Sequence, residues 1–532
     1  MSDYLRMEPE KSMRKRSLQE IRKTRRPAAR LALLAVTGLF TAASLLTLNA
    51  ETAFAAMHEH GYTYRYDYWE DVQDSPDVFA VTASYTSADL SLDLNMKNPQ
   101  GLYAHDNSLF ICDTGNNRII ELARDDAKRF SVARIIDSFT GGSGVNTFSA
   151  PTDIAISEDG NYFIADQANA RILKLSPDLE YIMEYGKPDD SALDQGVVFQ
   201  PYKIAVDTAE RVYCVATGIN KGLCKYEADG SFSGFVGALP ATYNLWDYLW
   251  KKIASQEQLA KMISFVPTEY DNLYMDYEGF IYAVTGNVSE DDLKGGQATA
   301  VRKLNLIGND ILVRNGDYDN YGDLYMGDGG GHQGPSLFSD VTVFKNDVYV
   351  CLGRNRGRAF GYDDQGRLMF AFGGNGNEDG YFNWAIGIDH IGTDLYILDQ
   401  QTATLTSFSL TEFGQLVFRA IDEFDHGDYA ASGATWEEVM KLNGNYDLAY
   451  IGIGRSLLRQ KRYKEAMDYF EIKYDDDNYS KAFKQYRKEW VEGHIVWIVV
   501  ILLALFLIPM AIGRFHKIRH DIDTADIFIV DQ

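Results

Sequence analysis

One short unit recurs along this chain, and its brevity limits what the chain can fold into. The clearest copy spans residues 151–175, where apolar runs at 154–156, 162–165 and 172–175 are separated by Glu158-Asp159-Gly160 and Gln167-Ala168-Asn169. Runs this short between turn signals read as strands joined by tight hairpins, not as helices. One such sheet cannot bury its own faces, so the copies must stack against each other. Residues 99–122 repeat the pattern, with Asp113, Asn116 and Arg118 at the spacing of Asp166, Asn169 and Arg171. Residues 201–226 keep the strands but carry Ala216 and Ile219 where Asp and Asn stood. Further copies are read at 272–306, 338–372 and 384–420. An aromatic three residues before the Asp position is read in all six, as Phe110, Phe163, Tyr213, Tyr282, Tyr349 and Tyr396. Recurrence makes the Asp, Asn and Arg architectural: they tie the turn through side-chain hydrogen bonds, with Arg paired to Asp.

The unit Pro-x-x-Ile-Ala-Ile, Asp-Gly turn, Tyr-Phe-Ile-Ala-Asp, then Asn-x-Arg-Ile resembles the NHL repeat, one blade of a β-propeller, and residues 370–382 resemble its outer strand and interblade loop. The resemblance covers about residues 98–420 and implies a mainly β chain with a six-bladed propeller. Closing six sheets into a ring leaves only short, protected edges. Most NHL-type propellers are binding platforms, although relatives include lactonases and a lyase, so the fold alone does not decide the function. Residues 78–85 alternate well enough for a strand and are expected to close the ring beside the sixth blade, a place for which 415–421 competes. The tyrosine-rich stretch 62–69 reads as an edge strand or an arm. Residues 56–97 thus form an N-terminal arm and closing strand, and 98–421 the propeller.

Both ends of the chain read as membrane signals. Ten Lys and Arg stand against four acids in residues 1–30; an apolar stretch at 31–48 and Ala53-Phe54-Ala55 follow. That order is a secretory signal peptide over residues 1–55, or an uncleaved N-terminal anchor. Residues 495–512 are apolar and uncharged, with Arg514, Lys517 and Arg519 directly after them. They read as one transmembrane helix, with residues 513–532 as a cytoplasmic tail. The expected location is the cell membrane, single-pass, with the ectodomain outside. The net charge of −25 repels nucleic acid, which is rejected as a partner.

After the sixth copy the periodicity becomes helical. Residues 432–492 read as a small α-helical region, in which Gly454 and Ala466 let helices approach while Leu457 and Phe470 fill the seam. This resembles a tetratricopeptide-like hairpin. Residues 243–263 read as amphipathic helix inserted between blades three and four.

The chemistry must lie in the loops, since no Gly-x-Ser-x-Gly, His-Glu-x-x-His or Gly-x-x-x-x-Gly-Lys occurs. Asp317, Asp319 and Asp323 partly resemble a calcium loop, calcium being the one cofactor suggested; the competing reading is a solvated acidic turn. His332 lies in a glycine-dense loop, and Arg354, Asn355, Arg356 and Arg358 put three guanidinium groups near it. These five are the candidate ligand-binding residues, for carboxylate or phosphate; the alternative is salt bridges to neighbouring blades. Cys214 and Cys224 fall on consecutive strands, where a disulfide or two buried thiols both fit. Two functions follow. One is a membrane-anchored extracellular propeller acting as a scaffold for a protein or carbohydrate partner, with no catalytic residue assigned. The other is a metal-dependent lactone hydrolase resembling gluconolactonases.

Overall fold

A computed structural model describes residues 62–190, 193, 196–238, 270–296, 298–326 and 334–529. The expected signal segment, the inserted helix at 243–263 and His332 lie outside the described residues.

The repeats fold as six antiparallel sheets in sequence order. In blade two, strands Pro151–Ile156, Tyr162–Asp166, Arg171–Leu175 and Tyr181–Tyr185 run from the axis outward. The first hairpin closes at Gly160, whose φ of +81° is open to glycine at little cost. The second closes through a 3-10 turn, Gln167–Asn169, and a left-handed Ala170. Blade one repeats this with Thr114–Asn116 and Asn117. Blade four has three strands among the described residues, Asn272–Met275, Ile281–Val284 and Val301–Leu304.

Strand alternation builds the core. Successive side chains of each second strand point to opposite faces of its sheet, so Phe110 and Cys112 pack toward blade two while Leu109 and Ile111 pack toward blade six. Six apolar clusters result, one at each junction between neighbouring blades, and the last joins blade six to blade one. Five of the repeat aromatics face the following blade in this way. Tyr349 does not: Phe338 pairs with Gly353, so Gly353 holds the Asp position and Tyr349 lies four residues before it, facing back toward blade four. Val350 takes the expected place.

The ring is closed by the N-terminus. Calling the first three strands β1 (Thr63–Tyr66), β2 (Val72–Asp74) and β3 (Phe79–Tyr85), β3 pairs antiparallel with Thr404–Leu410 of blade six. The competing segment 415–421 belongs instead to a helix. β1 adds to the outer strand of blade five, Leu368–Gly373, and β2 to β1.

A short helix, α1 (Glu290–Lys294), lies in the blade-four loop. After the last strand come α2 (Glu412–Asp425), α3 (Tyr429–Leu442), α4 (Asp447–Arg459), α5 (Tyr463–Ile472) and α6 (Asp476–Ile529). The helical region therefore begins at Glu412, where sequence reading had extended the propeller to 421; Thr411 caps α2 by accepting from the Gly414 N–H. Each helix packs on the next. Glycine permits the closest crossings in α4: a Cβ on Gly452 would lie 2.4 Å from the Trp436 ring, and one on Gly454 2.6 Å from Phe470. One apolar cluster runs from Phe370 and Phe372 of blade five through Phe418 of α2, Trp436 of α3 and Phe470 of α5 to Ala482 of α6. α6 is the one helix among the described residues long and apolar enough to cross a membrane.

Candidate functional site

The recurring acid is a staple. Asp113 accepts from Arg118 Nε (2.7 Å), Asn116 Nδ2 (2.8 Å) and the Lys97 N–H (2.7 Å). Asp166 accepts from Arg171 Nε (2.9 Å), Asn169 Nδ2 (2.8 Å) and the Ser149 N–H (2.7 Å). Each carboxylate thus holds its own turn and the linker entering its blade. Asp399 keeps the linker bonds, accepting from the Asn383 and Trp384 N–H groups. This is structural chemistry, and it uses up all three acids.

Blade five departs from the pattern and takes in the candidate arginines. Arg358 stands opposite Gly353, as Arg171 stands opposite Asp166, so it has the repeat's arginine without the repeat's acid. Asp323, from the loop before the blade, replaces that acid: its carboxylate lies 2.7 Å from Arg358 Nη1 and 3.2 Å from Arg356 Nη1. Tyr64 and Tyr66 of β1 donate to the same carboxylate at 2.6 and 3.0 Å. Burial would raise the Asp323 carboxyl, but the two guanidiniums and the two phenols outweigh it and hold it below the usual carboxylate range. Arg354 pairs with Asp271 at 2.8 Å, and Asn355 accepts from the Leu337 N–H and donates to the Pro335 carbonyl. The three guanidiniums are therefore engaged in ion pairs within the fold.

The carboxylate trio is not brought together. Asp323 is buried in this clamp, whereas Asp317 and Asp319 are exposed, and the three do not form a group with oxygens within 4.8 Å of one another. The described residues that do converge are Asp276, Glu278 and Asp347. That group already holds a cation: Lys303 Nζ lies 3.3 Å from Asp276 and 3.6 Å from Asp347.

Sequence reading missed the channel. Strand register puts Asp153, Lys203, Asn272 and Asp340 at the same level of the inner strands of blades two to five. The next inward level holds Tyr103, Tyr274 and Asp389. These residues line a cavity of about 410 Å³ that extends to the hairpins around Glu158, Asp207 and Glu278. The carboxylates bridge blades: Asp153 accepts from the Ile204 N–H, Asp340 from Ile388 and Asp389 from Ala104. Burial pushes Asp340 up to about 8 and Asp389 up to about 7. Lys203, 2% exposed, reaches the Gln100 carbonyl of blade one at 2.8 Å and lies 3.8 Å from Asp153. The signal that could have found this level is a charged residue inside the apolar first strand of three copies, Asp153, Lys203 and Asp340.

The four cysteines are buried free thiols. Cys214 stands directly opposite Cys224 across the hairpin, and burial raises both thiols.

No protein-family model matches the chain. A stretch of 139 residues is 27% identical to peptidyl-glycine alpha-amidating monooxygenase B of Xenopus laevis, covering 25% of this chain and 16% of that protein. The chain thus spans about a sixth of the curated relative it matches. Among solved structures, virginiamycin B lyase from Staphylococcus aureus is similar at a TM-score of 0.35 and 10% identity, over 63% of this chain and 100% of that one. BamB from Moraxella catarrhalis is similar at 0.31 and 12%, over 58% and 84%. Both are propeller neighbours, and at such values they add nothing to what the strands themselves establish.

Proposed function

We propose that this chain is a membrane-tethered scaffold that holds an NHL-type propeller outside the cell as a binding platform, coupled through its helices to another membrane component. The observation that carries this reading is the unbroken apolar cluster from blade five to the head of α6. A propeller on a loose linker would not need it. Here Arg65 of the arm pairs with Asp447 of α4 at 3.0 Å, and Arg367 of blade five lies 3.2 Å from Asp475 at the start of the long helix. The tilt and height of the blades are then set by a helix of 54 residues, about 80 Å long. Arg514, Lys517 and Arg519 after the apolar stretch favour a cytoplasmic C-terminus, with the propeller outside. The glycine-mediated crossings of α4 with its neighbours support the tetratricopeptide-like reading of these helices, a shape suited to a protein partner.

The lactone hydrolase lacks support. Its divalent cation would need open carboxylates in the channel, where Lys203 supplies the positive charge beside Asp153. Nor is amidating chemistry carried over from a relative matched over a quarter of this chain.

Topology tests the proposal. Because the native thiols are buried, a membrane-impermeant maleimide should label Asp159→Cys and not His520→Cys in intact cells, both residues being exposed. Labelling of His520→Cys alone would place the propeller in the cytoplasm and end the reading.

A further inference from the structure

The proposed scaffold leaves the channel without a task, and Lys203 gives it one. An ammonium has three hydrogens to donate. Lys203 is 2% exposed, and among the described residues its Nζ has one acceptor at hydrogen-bond distance, the Gln100 carbonyl at 2.8 Å, besides lying 5.6 Å from the centre of the Tyr202 ring. The Asp153 carboxylate is at 3.8 Å, too far for a direct hydrogen bond. Leaving donors of a buried charge unsatisfied is costly. Those donors border the cavity of about 410 Å³.

The surroundings select the chemistry of an occupant. A carboxylate or phosphate would accept from Lys203 but would meet the Asp153 carboxylate, 3.8 Å from that ammonium, with Glu158 and Glu278 at the opening. An amine cation has nothing to offer an ammonium. The nearby carboxylates are also already occupied: Asp340 accepts from Asn272 Nδ2 and two backbone N–H groups, and Asp389 from Thr342 and two backbone N–H groups. A hydroxyl, unlike either ion, satisfies both sides of the 3.8 Å gap, accepting from Lys203 while donating to Asp153. Tyr103 and Tyr274 add aromatic rings to the same wall, apolar surface of the kind that suits C–H groups. At about 30 Å³ for each water, the cavity has room for roughly a dozen waters, or one small sugar.

We infer that the channel binds a neutral, hydroxyl-rich small molecule of monosaccharide size, anchored between Lys203 and Asp153. This deepens the platform reading and rests on it.

The test uses the full chain in lipid nanodiscs, free of sugar-headed detergent, titrated calorimetrically with glucose, galactose and xylitol, and with glucuronate and ethanolamine as charged controls. At least one neutral probe should bind at millimolar concentration or tighter, and Lys203→Met, which keeps length and loses the donors, should weaken it at least tenfold. Should that variant not fold, Tyr277→Ala at the open, 58% exposed rim is expected to weaken the same probe severalfold without unfolding the blade. The inference is overturned if no neutral probe binds, if a charged control binds more tightly than all of them, or if neither folded variant changes affinity. Such a failure leaves the maleimide topology untouched, so the two readings fail separately.

Discussion

Arg358 and Asp323 meet at 2.7 Å because blade five has Gly353 where blades one and two have an acid. The arginine that elsewhere tightens its own turn is here turned toward a loop, and that loop is tied in turn to the arm by Tyr64 and Tyr66. A deviation in the repeat thus becomes the attachment point for the N-terminal strands.

Asp323→Ala should therefore destabilise the chain and loosen the arm together. Removing one partner of a buried ion pair costs about 3–5 kcal/mol. The low end, about 3 kcal/mol, is expected because the Arg358 side chain is 20% exposed. Denaturant melts read the first effect and limited proteolysis after residue 66 the second. Arg358→Met in the same background should recover part of the loss, since it removes a stranded charge.

The staples behave differently. Asp166→Ala removes the acceptor for Arg171, Asn169 and the Ser149 N–H at once and should cost about 2–3 kcal/mol. Asp166→Asn, which keeps an acceptor, should lose less. Blade three, with Ala216 at this position, already lacks the staple.

Channel acids give the pH dependence a sign. Folded Asp340 and Asp389 titrate near 8 and 7, against about 3.9 for an unfolded aspartate. Between pH 4 and 8 the folded chain holds protons that unfolding releases, so this contribution to stability falls as pH rises, by up to roughly 1.4 kcal/mol per pH unit for each group. His390, pushed down to about 4 by burial, opposes this below pH 6.5 with one group against two. The comparison that isolates the effect is Asp340→Asn, a mimic of the protonated acid: its stability relative to the native chain should improve steadily from pH 5 to pH 8. A constant difference would refute the shift.

Thiol counting checks the hairpin. The native chain should resist a soluble maleimide, and the chain unfolded without reductant should expose four reactive thiols. Finding two would mean that Cys214 and Cys224 are joined.

What the sequence disclosed was what local chemistry decides. The Asp-Gly turn at Gly160 and the Asp166, Asn169 and Arg171 staple are set within a few residues, and β3 reveals itself by alternation. The clamp was hidden because Asp323 and Tyr64 are 259 residues apart. Blade five misled because the aromatic shifted by one residue, which sends Tyr349 to the opposite face of its sheet. Lys203 was passed over because an inward-facing position on a first strand has the same spacing as a core position. α2 was read partly as strand since Val417, Phe418 and Ala420 alternate briefly, although Phe413, Val417 and Ala420 mark one helical face.

The central claim is that propeller, helical bracket and long helix move as one body. Spin labels at Gln401 on a blade-six turn and Gln485 on α6, both exposed, measure this directly by electron double resonance in nanodiscs. The account predicts a single narrow distance distribution that broadens when Phe470→Ala opens the bracket. A broad distribution in the native chain would show blades swinging freely on the long helix and would contradict it.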